Sequence, residues 1–248
     1  MSWFIFIFGL VIGSFLNVCI YRLPKEQSII WPPSSCPYCS HRLRWYELLP
    51  VVSFLLLKGK CSECGEPISI RYPAVELFTA LIALLLYLKF GLSWALISFF
   101  LLSCFLIMVA FIDAAYWKIP DMITLPGILL GIFFSFFNPG ITILESLIGL
   151  LVGGGILLLI GLVYQGGMGG GDIKLMAMVG SFTGWFSALL IIFLAALLGS
   201  IYGLVMIFQG RKGRKSKVQF GVFLALATFL IIFFGEGLKD WYITLILG

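Results

Sequence analysis

The sequence predicts an all-α fold, a polytopic bundle of about eight transmembrane helices with one polar loop of appreciable length. Of its 248 residues, 61% are hydrophobic and only 11% are charged, and the mean hydropathy is +1.12. A water-soluble core of this size does not need so much apolar surface. The apolar runs are long and continuous rather than alternating, which favours spanning helices of about 20 residues over the strands of a membrane barrel.

Eight apolar segments have the length and composition of helices. Pro24 closes the first and Pro73 opens the second, as proline does at helix boundaries. The sixth is short, and Thr-Gly-Trp-Phe at 183–186 is expected to be the turn before the seventh. The predicted helices are 2–21, 73–90, 92–113, 122–137, 141–164, 172–183, 186–209 and 218–236.

Lysine and arginine indicate how the bundle is oriented. Residues 22–72 carry seven of them and 211–217 carry five, and an eight-helix path puts both segments on one side together with Lys118 and Lys174. Positive residues mark cytoplasmic loops, so the N-terminus is expected outside. The net charge of +5 is therefore a topology signal. Membrane lipid is an expected contact of the chain, and no nucleic acid is expected, since no aromatic-basic module accompanies the basic run.

The predicted domains are a first transmembrane helix, 1–23, a cytoplasmic loop, 24–72, and a transmembrane bundle, 73–248. The first helix lacks the basic start of a signal peptide and is expected to be retained. Its Asn17 shares a face with Gly13 and Ser14, which predicts packing against another helix, or alternatively a place in a site. Glu76 opens the next helix, where the helix dipole favours an acid; the alternative is a contact with a cationic ligand or substrate group.

The polar loop contains two Cys-x-x-Cys pairs separated by twenty-one residues. Each pair presents two thiolates, and two such pairs complete a tetrahedral Zn²⁺ site of the structural kind. Two disulfides or a redox pair are the alternatives, and a reducing cytoplasm disfavours disulfides. His41 is interpreted as a surface residue rather than a ligand. The predicted zinc ligands are Cys36, Cys39, Cys61 and Cys64.

Two acids next to apolar runs predict chemistry at the membrane boundary. Asp172 follows a glycine-rich bend at 166–171, and Asp113 ends the third predicted helix. An acid beside a membrane segment is costly and marks a functional site. Asp172 is also expected to cap the following helix, and Asp121, after Pro120, is interpreted as an N-cap. The topology returns Asp113 and Asp172 to the same side, which suggests an aspartyl-protease pair.

The sequence resembles the type IV prepilin leader peptidases over nearly its whole length. Four motifs carry the resemblance, in the order that the family has them. They are Gly13-Ser14-Phe15-Leu16-Asn17-Val18 with Tyr21-Arg22-Leu23-Pro24, the two Cys-x-x-Cys pairs, Asp113 eight residues before Ile119-Pro120-Asp121, and Gly169-Gly170-Gly171-Asp172 with Lys174-Leu175.

The resemblance implies an aspartic endopeptidase in the bacterial cytoplasmic (inner) membrane, with its active site facing the cytoplasm. It implies Asp113 and Asp172 as the catalytic residues, and prepilin or pseudopilin precursor proteins as the partners whose leader peptide is removed. It further implies N-methylation of the new N-terminus with S-adenosylmethionine. The sequence shows no soluble methyltransferase nucleotide motif, so the residues of a methyl-transfer site stay unknown at this point.

Two other functions compete with the prepilin peptidase. An intramembrane aspartyl protease of another substrate class would share the Gly-x-Gly-Asp motif, but the cysteine loop and the N-terminal motif favour the first reading. A proton- or cation-coupled transporter could use the same two acids as ligands. An internal repeat would favour a transporter, and the sequence shows none.

Overall fold

The computed structural model describes residues 1–138, 140–164, 168–209 and 218–247. Within these ranges no strand occurs, and β-pairing is limited to two isolated bridges, Ser35 with Arg42 and Lys60 with Pro67. The predicted all-α class is confirmed. Two short 3-10 helices, Leu23–Lys25 and Trp45–Leu48, accompany α1 (Ser2–Arg22), α2 (Val52–Leu56), α3 (Arg71–Phe90), α4 (Trp94–Tyr116), α5 (Asp121–Ser135), α6 (Ile143–Val163), α7 (Gly170–Phe208) and α8 (Phe220–Leu247).

Among the described residues, five helices are long and apolar enough to cross a membrane: α1, α3, α4, α6 and α7. The chain is therefore a multi-pass membrane protein, while the total of eight spans stays a prediction. The basic 211–217 segment and the first two glycines of the predicted bend, Gly166 and Gly167, lie outside the described residues.

The longest helix, α7, merges the predicted sixth and seventh helices. Its 39 residues would reach about 58 Å as one straight helix, nearly twice the roughly 30 Å hydrocarbon core. The helix is broken at Gly184, which has φ 77° and ψ 171°, a conformation open to glycine but rarely to other residues. The break falls inside the turn predicted at 183–186.

Met1–Leu96 forms one compact unit, in which α1 and α3 pack antiparallel. A Cβ on Gly9 would lie 2.5 Å from Ala80 Cα, and one on Gly13 would lie 2.7 Å from Glu76 Cα. Small residues four apart let membrane helices approach this closely, where dispersion contacts between them are strongest. Gly13 therefore lies on a packing face, as predicted for it.

Side chains at the ends of α1 and α3 hold the chain on either side of the polar loop. Asn17 Nδ2 donates to the Tyr72 carbonyl at 3.0 Å. Glu76 Oε2 accepts from the Val51 backbone N–H at 2.7 Å. Val51 has φ 61°, a conformation that β-branched residues rarely adopt. The buried carboxylate thus stabilises a strained turn that brings the loop back to the helix ends.

The second compact unit, Ile97–Gly248, is built around α7. Here α6 packs against α7 through glycines: a Cβ on Gly149 would collide with the Gly180 carbonyl, and one on Gly153 would lie 2.5 Å from the Met176 carbonyl oxygen. On the neighbouring helix, Gly131 lies against Ser181 and Phe182 of α7. Gly149 and Gly153 therefore allow α6 to pack closely against α7.

Candidate active site and metal centre

Asp172 lies in the first turn of α7, at the position where a side chain can reach back to the helix start. The N-cap residue is Gly169, and the Asp172 carboxylate accepts its backbone N–H. An acid at the third helical position satisfies an otherwise unpaired donor in this way. The prediction that Asp172 is the N-cap is therefore wrong, although its carboxylate satisfies a donor of the helix start from inside the helix.

Asp113 lies in the last turn of α4 and is 6% exposed. Its Oδ2 is buried without a hydrogen-bond partner among the residues that the structure describes. The charges of Asp113 and Asp172 are close enough to interact. The fold thus brings together two carboxylates that lie fifty-nine positions apart in the sequence.

The start of α8 forms part of the surroundings of Asp113, which the sequence did not predict. Gln219 Nε2 donates to the carbonyls of Asp113 at 3.1 Å and Ala114 at 2.9 Å. Both carbonyls lie in the last turn of α4, and that of Asp113 also accepts from the Trp117 backbone N–H at 2.9 Å. A Cβ on Gly221 would lie 2.9 Å from Asp113 Oδ2. The α8 backbone therefore comes close to the carboxylate because residue 221 has no side chain.

Ile119 occupies the space between the two acid-bearing segments. A Cβ on Gly171, next to Asp172, would lie 2.8 Å from Ile119 Cβ, and one on Gly221 would lie 3.0 Å from Ile119 Cδ1. One apolar side chain thus contacts the glycine beside each candidate acid. Ile119 therefore lies against the starts of both α7 and α8.

The prediction that Asp121 caps α5 is wrong. The N-cap is Pro120, and Asp121 is the first helical residue. Its Oδ2 instead pairs with Lys174 Nζ at 2.6 Å, and both side chains are about half exposed. This ion pair joins the first turn of α5 to α7 two residues after Asp172.

The four predicted zinc ligands come together in the polar loop. The sulfur atoms of Cys36, Cys39, Cys61 and Cys64 all lie within 4.8 Å of one another. Sγ separations are 3.9 Å for Cys36–Cys64 and for Cys39–Cys61. Tetrahedral coordination with Zn–S distances of about 2.3 Å requires S···S distances of about 3.8 Å. The cluster therefore fits a zinc ion, and its four sulfurs would leave no open coordination position.

The backbone favours thiolates at two of these positions. The pKa of the Cys36 thiol is lowered to about 7, chiefly by a hydrogen bond from the Cys39 backbone. The pKa of Cys61 is lowered chiefly by a hydrogen bond from the Cys64 backbone. Each lowered thiol is the first cysteine of its Cys-x-x-Cys turn, where the turn's own N–H groups point at the sulfur. Thiolate is the form that a metal binds.

Glu47 links the two cysteine turns and was not predicted from the sequence. Its carboxylate accepts from the Arg44 backbone N–H at 2.7 Å, from the Ser62 hydroxyl, and contacts His41 Nε2 at 3.2 Å. His41 follows the first cysteine pair, and Ser62 lies within the second. These bonds, the Arg44 N–H first, hold the pKa of Glu47 below its usual value. His41 is partly buried against Glu47 and lies outside the four-sulfur set.

Two family profiles match the chain. Residues 7–90 match the Bacterial Peptidase A24 N-terminal domain, and residues 100–204 match the Type IV leader peptidase family. A protein of Aeromonas hydrophila named Prepilin leader peptidase/N-methyltransferase is 32% identical over 97% of this chain and 93% of its own length. The chain belongs to the type IV leader peptidase family. The resemblance stated from the motifs is thereby confirmed.

Relatives with the same name occur in other bacteria. The Bacillus subtilis protein is 36% identical over 98% of both chains. The Myxococcus xanthus protein is 39% identical over 86% of this chain, which spans 66% of that relative's length. No solved structure matches the chain. The leader peptidase match at 100–204 includes both Asp113 and Asp172, and the N-terminal match at 7–90 includes all four cysteines.

Proposed function

We propose that this protein is a membrane aspartyl endopeptidase that removes the leader peptide of type IV prepilin-like precursors and N-methylates the new N-terminus. The observation that carries the proposal is the juxtaposition of Asp113 and Asp172 in a member of the type IV leader peptidase family. The relatives' printed name, prepilin leader peptidase/N-methyltransferase, supports both activities.

The two carboxylates supply the acid and the base that peptide hydrolysis requires. Two interacting carboxylates disfavour double ionisation, and in the proposed mechanism the pair shares one proton. The ionised carboxylate takes a proton from a water molecule, whose oxygen attacks the scissile carbonyl. The protonated carboxyl gives its proton to the substrate, and the C–N bond then breaks to release the new amino terminus. Nothing lies within 4 Å of a Cβ built on Gly170, which leaves room near Asp172 for a substrate backbone.

The charge pattern supports an active site on the cytoplasmic face of the bacterial inner membrane. Asp113 lies at the end of α4 that leads to Lys118, and Asp172 lies beside Lys174. Positive residues next to spans accumulate on the cytoplasmic side. Prepilin or pseudopilin precursors would present their cleavage site there, at the border of their hydrophobic segment.

Two groups from outside the chain belong to the proposal. A zinc ion held by Cys36, Cys39, Cys61 and Cys64 would fix the fold of the polar loop. S-adenosylmethionine would supply the methyl group for the second reaction. Metal analysis should find about one zinc per chain, and Cys36→Ser with Cys61→Ser should lose it. Full zinc retention in that double variant would contradict the four-sulfur site.

The peptidase assignment is tested by amide substitutions in the pair. Asp113→Asn and Asp172→Asn keep the side-chain shape, so each should leave the protein folded and zinc-bound. Each should abolish leader removal, scored by the mass of a co-expressed precursor, because an amide can neither share the proton nor activate water. The two losses should not add, since the carboxylates act as one unit.

Asp121→Asn is the matched control, because it replaces a nearby acid in an exposed ion pair. Exposed pairs contribute about 0–1 kcal/mol, so this variant should retain most of the cleavage. Substantial cleavage by either Asp113→Asn or Asp172→Asn would contradict the aspartyl mechanism, because leader removal would then not require the acid pair.

A further inference from the structure

A cavity of about 680 Å³ lies within the Met1–Leu96 unit and is lined only by residues between Ser14 and Glu76. We propose that this cavity binds the methyl donor, S-adenosylmethionine. The inference rests on the methyl-transfer part of the proposed function and gives that reaction a site. Small-molecule sites typically measure about 300–1,000 Å³. The cavity is thus large enough for a nucleoside carrying an amino-acid chain.

The charges around the cavity select the kind of ligand. Three carboxylates line it, those of Glu47, Glu66 and Glu76, against one guanidinium, that of Arg22. Phosphate-bearing cofactors would be repelled by this excess of negative charge. S-adenosylmethionine carries a sulfonium, an ammonium and a carboxylate, so its net charge is positive. A site with several acids and one base complements that distribution of charge.

The polar groups at the helix ends are fixed before any ligand enters. Glu76 is 7% exposed; Ser14 and the Val51 N–H both bond to its carboxylate. Asn17 uses its amide nitrogen on the Tyr72 carbonyl, so its Oδ1 is the group that it can offer to a ligand. Pre-positioned acceptors of this kind bind an ammonium or a sulfonium with little loss of side-chain entropy.

The lining also contains groups that complement the carboxylate and the adenine ring of the ligand. Arg22 donates to the carbonyls of Ser28 at 2.9 Å and Pro32 at 2.7 Å. These bonds fix the guanidinium, whose five N–H donors can also hold a carboxylate. Aromatic rings line the cavity as well, and they suit an adenine ring or a sulfonium through stacking and cation–π contacts. The aromatic lining residues are Tyr21, Trp31, Tyr38, Phe54 and Tyr72.

Photolabelling of the unmodified full-length protein tests the location directly. Tritiated S-adenosylmethionine is cross-linked by ultraviolet light, and the labelled peptides are identified by mass spectrometry. The label should map between residues 14 and 76, and excess S-adenosylhomocysteine should suppress it. A label confined to residues 97–248 would overturn the proposal. Suppression by a basic leader peptide, but not by S-adenosylhomocysteine, would overturn it too, because the cavity would then be a substrate surface.

A charge-neutralising variant tests the same site by affinity. Glu76→Gln keeps an oxygen that accepts from Val51 and removes the charge that a cationic donor needs. The Kd for S-adenosylhomocysteine, measured by calorimetry, should rise at least about tenfold. Glu63→Gln is the control, since this exposed loop acid does not line the cavity, and its Kd should stay within about twofold. Zinc content reports the fold of both variants.

The outcomes separate this inference from the function on which it rests. If the unmodified protein methylates a cleaved precursor but the Kd of Glu76→Gln stays within twofold, the cavity assignment is wrong and methyl transfer stands. If the unmodified protein neither binds the donor nor methylates, both the cavity assignment and the methyl-transfer proposal are wrong. Leader removal is measured separately and is unaffected by either result.

Discussion

Gly221 is the residue at which the α8 backbone comes closest to the candidate acid pair. A methyl group there would meet Asp113 Oδ2 at 2.9 Å and Ile119 Cδ1 at 3.0 Å. Gly221→Ala should therefore displace the carboxylate by a few tenths of an ångström or more. Catalytic geometry is sensitive on this scale, and the initial rate of leader removal should fall at least about tenfold.

The control for this prediction is Gly203→Ala in α7, where nothing lies within 4 Å of an added Cβ. That variant should cleave at the unmodified rate, and the melting temperatures of both should be compared to exclude a general loss of fold. Equal cleavage by Gly221→Ala and Gly203→Ala would show that the start of α8 does not position Asp113.

Glu47 is expected to determine how tightly the cysteine cluster holds metal. It joins His41, beside one cysteine pair, to Ser62, inside the other. Outer groups that orient metal ligands typically contribute about 10–100-fold to metal affinity. Glu47→Gln cannot accept all of the present bonds, so its zinc affinity, measured by competition with a chromogenic chelator, should fall by about that factor. Glu63→Gln, which changes a half-exposed acid nearby, should retain zinc as the unmodified protein does; equal affinities of the two variants would exclude the bracing role.

The site residues that could be predicted from the sequence are those whose chemistry is unusual for their surroundings. Asp113 and Asp172 border apolar runs, and four cysteines in two short pairs have few interpretations. The roles of Gln219 and Glu47 could not be predicted in this way. Each is a polar residue in a polar segment, and its hydrogen-bond partners are brought to it only by the fold. The prediction for Asp121 failed for a similar reason. An acid after proline suits either an N-cap or the first helical turn, and the ion pair with Lys174 cannot be read from the local sequence.

Close packing of α6 against α7 is the element-scale feature that supports Asp172. A Cβ on Gly180 would lie 2.6 Å from the Gly149 carbonyl carbon. Gly180→Ala should therefore force the helices apart and destabilise the protein by about 1–3 kcal/mol, seen as a lower melting temperature in detergent. Gly155→Ala, in α6 and with open space around it, should melt no lower than the unmodified protein, because alanine favours a helix over glycine. Identical melting temperatures of the two variants would mean that the contact between Gly149 and Gly180 does not contribute to stability.

Helix bounds were predictable where hydrophobic length determined them. The second and fifth predicted helices, 73–90 and 141–164, agree with α3 and α6 to within about two residues, the usual uncertainty of helix ends. The short helix α2 was not predicted, because five residues give no periodicity to detect. Its position depends on the Glu76 bond to Val51, which is a tertiary contact.

At the scale of the whole molecule, the chain forms two compact units with different chemical resources. Met1–Leu96 holds the cysteine cluster and the cavity, and Ile97–Gly248 holds the acid pair. Each unit corresponds to one of the two family matches. Peptide cleavage and methyl transfer can thus use separate residues in the two units. Binding of the methyl donor should therefore be retained in Asp113→Asn. Loss of S-adenosylhomocysteine binding in that folded variant would mean that the two activities share residues.

The path of α7 and α8 predicts the membrane topology. Asp172 at the start of α7 interacts with Asp113 at the end of α4, and Gln219 before α8 bonds the carbonyl of the same residue. The ends of these three helices therefore lie on one side of the bilayer. Because α7 connects two of these ends, the chain must enter the bilayer after Asp172 and come back to the same side before Gln219. The break at Gly184 allows α7 to reverse in this way.

Reporter fusions after residues 40, 117 and 218 should accordingly all report the cytoplasm, and a fusion after residue 140 should report the exterior. The cytoplasmic assignment rests on the lysines and arginines beside these sites, whereas the common side of 117 and 218 rests on the contacts of Gln219. An exterior signal at 218 with a cytoplasmic signal at 117 would require a bilayer between two groups that are hydrogen-bonded at 3.1 Å. That result would contradict the arrangement of α4, α7 and α8, and with it the acid pair.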